Sequence, residues 1–237
     1  MIRVTRAVAS DVEGIGAVVH EVWKLEILSD VCRAQIESDA SALWVARNGD
    51  DVLGFVSAFL TRSRAGRRRW EIDLLAVRPA SQGQGLGQRL IRRAWEDGER
   101  RGAALARAAI RVENLPSQKA FEKTGFSTDG RIHHLFLWDP QSGAVPHRSP
   151  DPVLLLSVET LTYRGLWIEG LERVSWSKQR LAVRTARARV ASERRLNTGA
   201  LVPHGDVAIL APDLRDQAHV QGRYCWFVRH SRVQQEG

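Results

Sequence analysis

The run Gln82-Gly83-Gln84-Gly85-Leu86-Gly87 sets three glycines within six residues, between an apolar strand-like stretch and an amphipathic helix. Without Cβ atoms the backbone there can turn tightly and approach a ligand closely. The following helix directs its unpaired N–H groups and positive dipole end back at the turn, which suits a phosphate or pyrophosphate. Just upstream, Glu71 and Asp73 lie on a strand-like run. They are candidate proton acceptors, and period-two geometry places both on one face with Leu75 and Val77. His133-His134 is a weaker candidate, because neighbours on a strand face opposite ways and only one ring could point at a site. The seven histidines are scattered and show no ligand-type pairing, so no metal centre is expected.

The elements that must hold these groups read as a mixture of strands and helices. Ile2–Ala7 alternates like a strand, and Ser10-Asp11 offers an N-cap for a helix to about Trp23. A second helix is expected near Asp30–Ser38. Leu43–Arg47 and Val52–Thr61 form a hairpin around the turn signal Asn48-Gly49-Asp50. Trp70–Val77 is the strand before the glycine turn, and Leu86, Leu90, Ile91 and Ala94 keep helical spacing after it. Ala104–Val112 is a buried strand, Pro116–Thr124 a short helix and Arg131–Trp138 a further strand. Asp139–Pro152 reads as a loop. Val153–Val158 is expected to be the last strand of the same sheet. Beyond it lie a strand at Tyr163–Ile168, a long helix at Ser175–Arg195, and strands at Val207–Leu210 and Arg223–Val228.

Composition bounds the class. The 237 residues, 43% hydrophobic and 26% charged, fit a globular protein with a sizeable core. Only two cysteines occur, nearly a chain length apart, which argues against a disulfide framework. With no apolar leader and no run of membrane-span length, a cytoplasmic protein without a membrane partner is expected. The net charge of +8 suggests affinity for polyanions, or simply an Arg-rich solvated surface.

Two motifs resemble the GNAT superfamily of N-acetyltransferases. Leu75-Ala76-Val77-Arg78-Pro79 followed by Gln82-x-x-Gly85-x-Gly87 is similar to its acyl-CoA signature. The run from Asn114 through Ser117, Ala120-Phe121-Glu122-Lys123 and Gly125-Phe126 is similar to its second motif. The resemblance covers residues 1–158 and implies an α/β (α+β) fold with a central mixed sheet flanked by helices. It implies acetyl-CoA as acyl donor, with the pyrophosphate on Gln82, Gly83, Gln84, Gly85, Leu86 and Gly87. Leu75, Ala76 and Val77 would meet the pantetheine arm and thioester, Leu75 N–H serving as oxyanion donor. Asn114, Ser117, Phe121 and Lys123 would flank the same arm, although N-capping serves equally well for Asn114. Glu71, four residues before Leu75, matches the base of some family members, and Asp73 is the other candidate. Many members carry a tyrosine acid where this chain has Phe121. Ser117, a water or one of the two tyrosines, Tyr163 and Tyr224, would have to replace it.

The implied function is acetyl transfer from acetyl-CoA to a primary amine of a small molecule or peptide. The alternative is a non-catalytic acyl-CoA-binding or regulatory protein, motivated by Phe121. A third reading, from charge alone, is a nucleic-acid-associated module. Residues 159–237 are expected to form a non-catalytic C-terminal α/β extension, a degenerate half of the same fold without a glycine turn, covering the acceptor cleft or making a homodimer contact. Its helix carries Arg180, Arg184 and Arg187 as a basic stripe, and Tyr224, Trp226 and Phe227 suggest a strand packed into a core.

Overall fold

The computed structural model describes residues 1–143 and 150–231. Ten strands join in one mixed sheet of order β1-β2-β3-β4-β5-β10-β6-β9-β8-β7. The first half contributes β1 (Arg3–Arg6), β2 (Ser41–Asn48), β3 (Asp51–Arg62), β4 (Arg68–Val77), β5 (Leu105–Arg111) and β6 (Ser127–Trp138). Its helices are α1 (Val12–Trp23), α2 (Ser29–Glu37), α3 (Leu86–Arg100) and α4 (Leu115–Glu122). The second half contributes β7 (Leu154–Glu159), β8 (Arg164–Glu169), α5 (Trp176–Ser192), β9 (Asn197–Pro203), α6 (Pro212–Asp216) and β10 (His219–His230). Of the loop expected at Asp139–Pro152, residues 144–149 lie outside the described residues, and the flanking positions are neither helix nor strand.

One expected strand is corrected. Val207–Leu210 falls in a 3-10 segment, His204–Ile209, and the strand lies earlier, at Asn197–Pro203. Asn197-Thr198-Gly199 looks turn-forming, but Gly199 serves close approach: a Cβ there would stand 3.2 Å from the Leu137 side chain on the neighbouring strand. Pro203 then ends the ladder, since its ring fixes φ and removes a donor.

The chain crosses between its halves at β10. This last strand lies between β5 and β6, antiparallel to both, with Tyr224 opposite Arg111 on one side and His133 on the other. Phe227 is thereby delivered into the first half's core, where it is 1% exposed and meets Phe121 at 6.3 Å between ring centres. Burying a side chain of this size contributes roughly 1.5–3 kcal/mol. The arrangement β8–α5–β9 repeats β4–α3–β5, each a helix crossover joining strands that are parallel over only three register pairs.

The sheet curls so that its far end returns to its beginning. Leu28 N–H donates to Leu161 O at 2.7 Å, Gln35 Nε2 to Glu159 O at 2.9 Å, and Arg164 to Asp30 at 2.8 Å. Leu161 is fully buried in the cluster under α1. Both halves thus wall one interior cavity.

Candidate active site

Everything at the site follows from a break in the β4 ladder. Ser57 pairs with Leu74, but Ala58 pairs with Ile72, which leaves Asp73 as the extra residue of a β-bulge. One extra residue exchanges the two faces of a strand. Trp70 and Ile72 accordingly lie with Leu75 and Val77 in the cluster under α3, whereas Leu74 and Ala76 lie in the cluster under α1. The expectation that Glu71 shares a face with Leu75 and Val77 is therefore corrected, because simple period-two counting does not survive the bulge.

Past the bulge, β4 and β5 separate. They pair only at Arg69↔Leu105, Trp70↔Ala106 and Glu71↔Arg107. Arg78 N–H donates to Leu53 O on β3 at 2.8 Å, and hydrogen-bonding direction alternates along a strand. Ala76 therefore faces β3, while Val77 and Leu75 direct their main-chain groups into the opening. The Val77 carbonyl accepts from Gln82 Nε2 at 2.9 Å, which ties the opening to the glycine turn. Gly83 and Gly85 take φ of +78° and +74°, with nothing within 4 Å of a Cβ at either, so conformation rather than crowding calls for glycine. Gly85 is the N-cap residue of α3, and the N–H groups of its first turn face out over the turn. Gly87 lies within that first turn, Gln84 is exposed, and Leu86 is buried in the core. Free main-chain groups along a slot that ends at a helix N-terminus fit a ligand with an extended amide arm and a pyrophosphate.

The opening leads into a cavity of about 370 Å³. Three carboxylates line it: Glu71, Asp73 and Glu169. Two of them are closed into a buried network. Arg107 Nε meets Glu71 at 2.7 Å, Arg69 meets Glu71 at 3.5 Å and Glu169 at 2.9 Å, and Arg107 also contacts Glu169. The Thr61 hydroxyl donates to Glu71 as well. Burial opposes the Arg107 charge, but Glu71 and Glu169 outweigh it and hold the guanidinium protonated. Burial likewise opposes the Glu169 charge, and Arg107 and Arg69 pull its carboxyl below the usual range. The Glu71 carboxyl is thus held at the root of the opening by Arg107, Arg69 and Thr61.

Asp73 differs. Among the described residues it has no ion-pair partner, and its side chain opens onto the cavity. Protein crowds around that cavity, so the exposed carboxyl is still poorly hydrated. Burial, with Glu71 adding repulsion and the Thr160 hydroxyl opposing, pushes its pKa up to about 7. A carboxyl poised there exchanges protons near neutral pH.

Around the mouth, Asn114 accepts from Ser117 N–H at 3.2 Å and so caps α4. Asn114, Ser117 and Phe121 all line the cavity, whereas Lys123 is exposed at the end of α4 and does not. Phe121 is 2% exposed and stacks edge-on against Phe126 at 5.0 Å. Both tyrosines reach the cavity from the second half. The Tyr163 hydroxyl is engaged, donating to Asn197 O at 3.1 Å. Tyr224 sits beneath the Arg111 guanidinium, 5.3 Å from its ring centre, and burial raises its pKa. Sequence reasoning could name these tyrosines but not place them, since only the insertion of β10 beside β5 brings Tyr224 to the end of the opening. Trp226 lines the cavity too, under Arg107 at 4.3 Å, rather than packing wholly in the core. His133 and His134 lie elsewhere. His134 stacks on His204, with their ring nitrogens 2.8 Å apart, and burial lowers its pKa. The α5 stripe is partly engaged, Arg180 with Asp213 at 2.6 Å and Arg187 with the Asp139 carbonyl at 2.8 Å. Among the described residues no group of three or more His, Cys, Asp or Glu could hold a metal ion, and no helix is long and apolar enough to cross a membrane.

The Acetyltransferase (GNAT) family model matches residues 18–126, the stretch that carries the bulge, the opening and the glycine turn. Residues 18–126 form a GNAT acetyltransferase domain. The chain is 23% identical over 112 residues to N-acetyltransferase 8B of Rattus norvegicus, covering 47% of this chain and 50% of that protein. It is 29% identical over 90 residues to mycothiol acetyltransferase of Streptomyces bingchenggensis (strain BCW-1), covering 38% of this chain and 28% of that protein. The chain thus spans half or less of these relatives. Two solved structures share the fold across 97% of the chain, each at 13% identity. One is a GCN5-related glucosamine N-acetyltransferase region of a fungal multi-domain GH3 β-N-acetylglucosaminidase, with a TM-score of 0.61 and 38% of that chain covered. The other is a GCN5-related N-acetyltransferase from Sphaerobacter thermophilus, with a TM-score of 0.57 and 95% covered. The GNAT likeness of fold therefore extends through both halves.

Proposed function

We propose that this GNAT protein transfers an acetyl group from acetyl-CoA to a primary amine, with Asp73 as general base. The observation that carries the reading is the bulge, which frees the main-chain groups of Leu75 and Val77 and places an unpaired carboxyl at the root of the same opening. The coenzyme supplies the activated acyl group when bound. Gly83, Gly85 and the first turn of α3 would hold its pyrophosphate, and Val77 would pair with its amide arm. Leu75 N–H donates to the acyl oxygen as negative charge develops there. An ammonium with a pKa near 10.4 must lose a proton before it can attack, and Asp73 accepts it. This assigns to Asp73 the role for which Glu71 was the first candidate, because the Glu71 carboxylate is occupied by Arg107, Arg69 and Thr61. Tyr224, on the far side of the opening, supplies the proton for the departing sulfur that Phe121 cannot.

Phe121 also favours a second reading, coenzyme binding without turnover. Thiol release from acetyl-CoA, followed with a thiol reagent across a panel of primary amines, decides between them. Amine-dependent release supports transfer. Tight coenzyme binding with no release above the amine-free rate supports the binding protein.

A further inference from the structure

We infer that the acceptor is a small monoamine whose single amino group is joined to an apolar or aromatic body. The inference rests on the reading of Asp73 as the acceptor's proton partner and extends it to the rest of the cavity.

Charge sets the number of amino groups. Of the three carboxylates facing the cavity, Glu71 and Glu169 are neutralised by Arg69 and Arg107, which leaves Asp73 alone to meet a cation. A second ammonium brought into this space would lose its hydration without gaining a counter-charge, a cost that polyamines and basic peptides would bear and a monoamine would not.

The walls set the body. Trp23 and Phe59 from the first half face Leu156, Val158, Trp167 and Leu201 from the second across the cavity. These are surfaces that gain by shedding water against an apolar group, and apolar surface outweighs the polar members of the lining, Thr162 and Gln221 among them. Volume sets the size. About 370 Å³ must also admit the end of the coenzyme, and it lies at the lower end of the range for small-molecule sites.

The test separates binding from chemistry. The intact protein, saturated with coenzyme A, is titrated calorimetrically with 2-phenylethylamine, spermidine, glucosamine and a lysine-containing tripeptide, and each is then assayed for turnover with acetyl-CoA. The expected result is at least tenfold tighter binding and higher kcat/KM for 2-phenylethylamine. Trp167→Ala, and the gentler Leu156→Gln should the first unfold, are expected to weaken phenylethylamine at least fivefold without changing coenzyme affinity. Equal or better binding of spermidine, glucosamine or the peptide overturns the inference, as does an unchanged ranking in a folded wall variant. Turnover confined to the polar amines overturns it while acetyl transfer stands. The expected binding ranking without any turnover supports the monoamine pocket and overturns transfer instead.

Discussion

Asp73→Asn is the substitution that bears most directly on the chemistry. It keeps side-chain volume and removes the ability to take a proton. A positioned general base contributes roughly 10²- to 10⁴-fold, or about 3–5 kcal/mol of barrier, so kcat/KM at pH 8 should fall by that factor. The structure also fixes where the pH dependence lies. With a pKa of about 7, the wild-type carboxyl is mostly protonated at pH 6 and mostly ionised at pH 8. The initial rate of thiol release should rise through pH 7 on a limb separate from the acceptor's own rise near its amine pKa, and Asp73→Asn should lack that limb. Removing the Thr160 hydroxyl, which favours the charged form, should move the limb to higher pH. Thr160→Val is expected to shift it by about one unit, since a hydrogen bond to a charged group contributes about 1.5–3 kcal/mol and part of that is recovered by water in the cavity. Stability should move the opposite way. The folded pKa of Asp73 lies above its unfolded value of 3.8, so its contribution is fully present below that value and is lost as pH rises through 7. Urea denaturation should then find Asp73→Asn more stable than wild type at pH 8 and little changed at pH 4. An Asp73→Asn protein that keeps more than a tenth of the activity, or keeps the limb near pH 7, refutes the assignment.

Three further outcomes are expected. Glu71→Gln should cost about 3 kcal/mol in urea denaturation, because it leaves Arg69 and Arg107 to share Glu169 in a buried setting. It should also move the activity limb to lower pH, since Glu71 raises the Asp73 pKa, and loss of the limb would make Glu71 the base instead. Gly85→Ala places a Cβ at φ +74°, at about 1–2 kcal/mol, and calorimetry should show coenzyme A bound roughly five- to thirtyfold more weakly. Tyr224→Phe should lower kcat by about 10²-fold with coenzyme affinity unchanged, and an unaltered kcat would remove it as the proton donor.

Much of the first half was legible because its signals are local. Glycine spacing, a strand before it and an amphipathic helix after it place α3 and its anion-binding end without tertiary information. What was hidden depends on register or on long-range pairing. In Trp70-Glu71-Ile72-Asp73-Leu74-Leu75 the apolar–charged alternation breaks at Leu74-Leu75, but such a break does not by itself say which residue is left out of the ladder. The roles of Glu71 and Asp73 then turned on residues far along the chain as well as near ones, Arg107 beside Arg69 and Thr61 for the one and Thr160 for the other. Asn197-Thr198-Gly199 misled because turn-like residues can also serve where a large neighbour such as Leu137 needs room.

The position of β10 decides whether the second half is a detachable cover or part of the catalyst. It pairs with β5 from Tyr224 to His230 and with β6 from His219 to Val228, so removing it would open two strand edges inside the sheet. Its Phe227 fills the core beside Phe126 and Phe121, the latter lining the cavity, while its Tyr224 and Trp226 line the cavity as well. Both halves should therefore unfold together. Phe227→Ala removes a fully buried aromatic ring and should cost about 3–5 kcal/mol. With a urea slope of about 1–3 kcal/mol per molar, the midpoint should fall by more than about 1 M. Far-UV circular dichroism and tryptophan fluorescence report on backbone and on rings in both halves, and the two curves should coincide in one shifted transition. Two separated transitions, with only the first moved by Phe227→Ala, would show that the halves fold independently and that the cavity between them is assembled by docking.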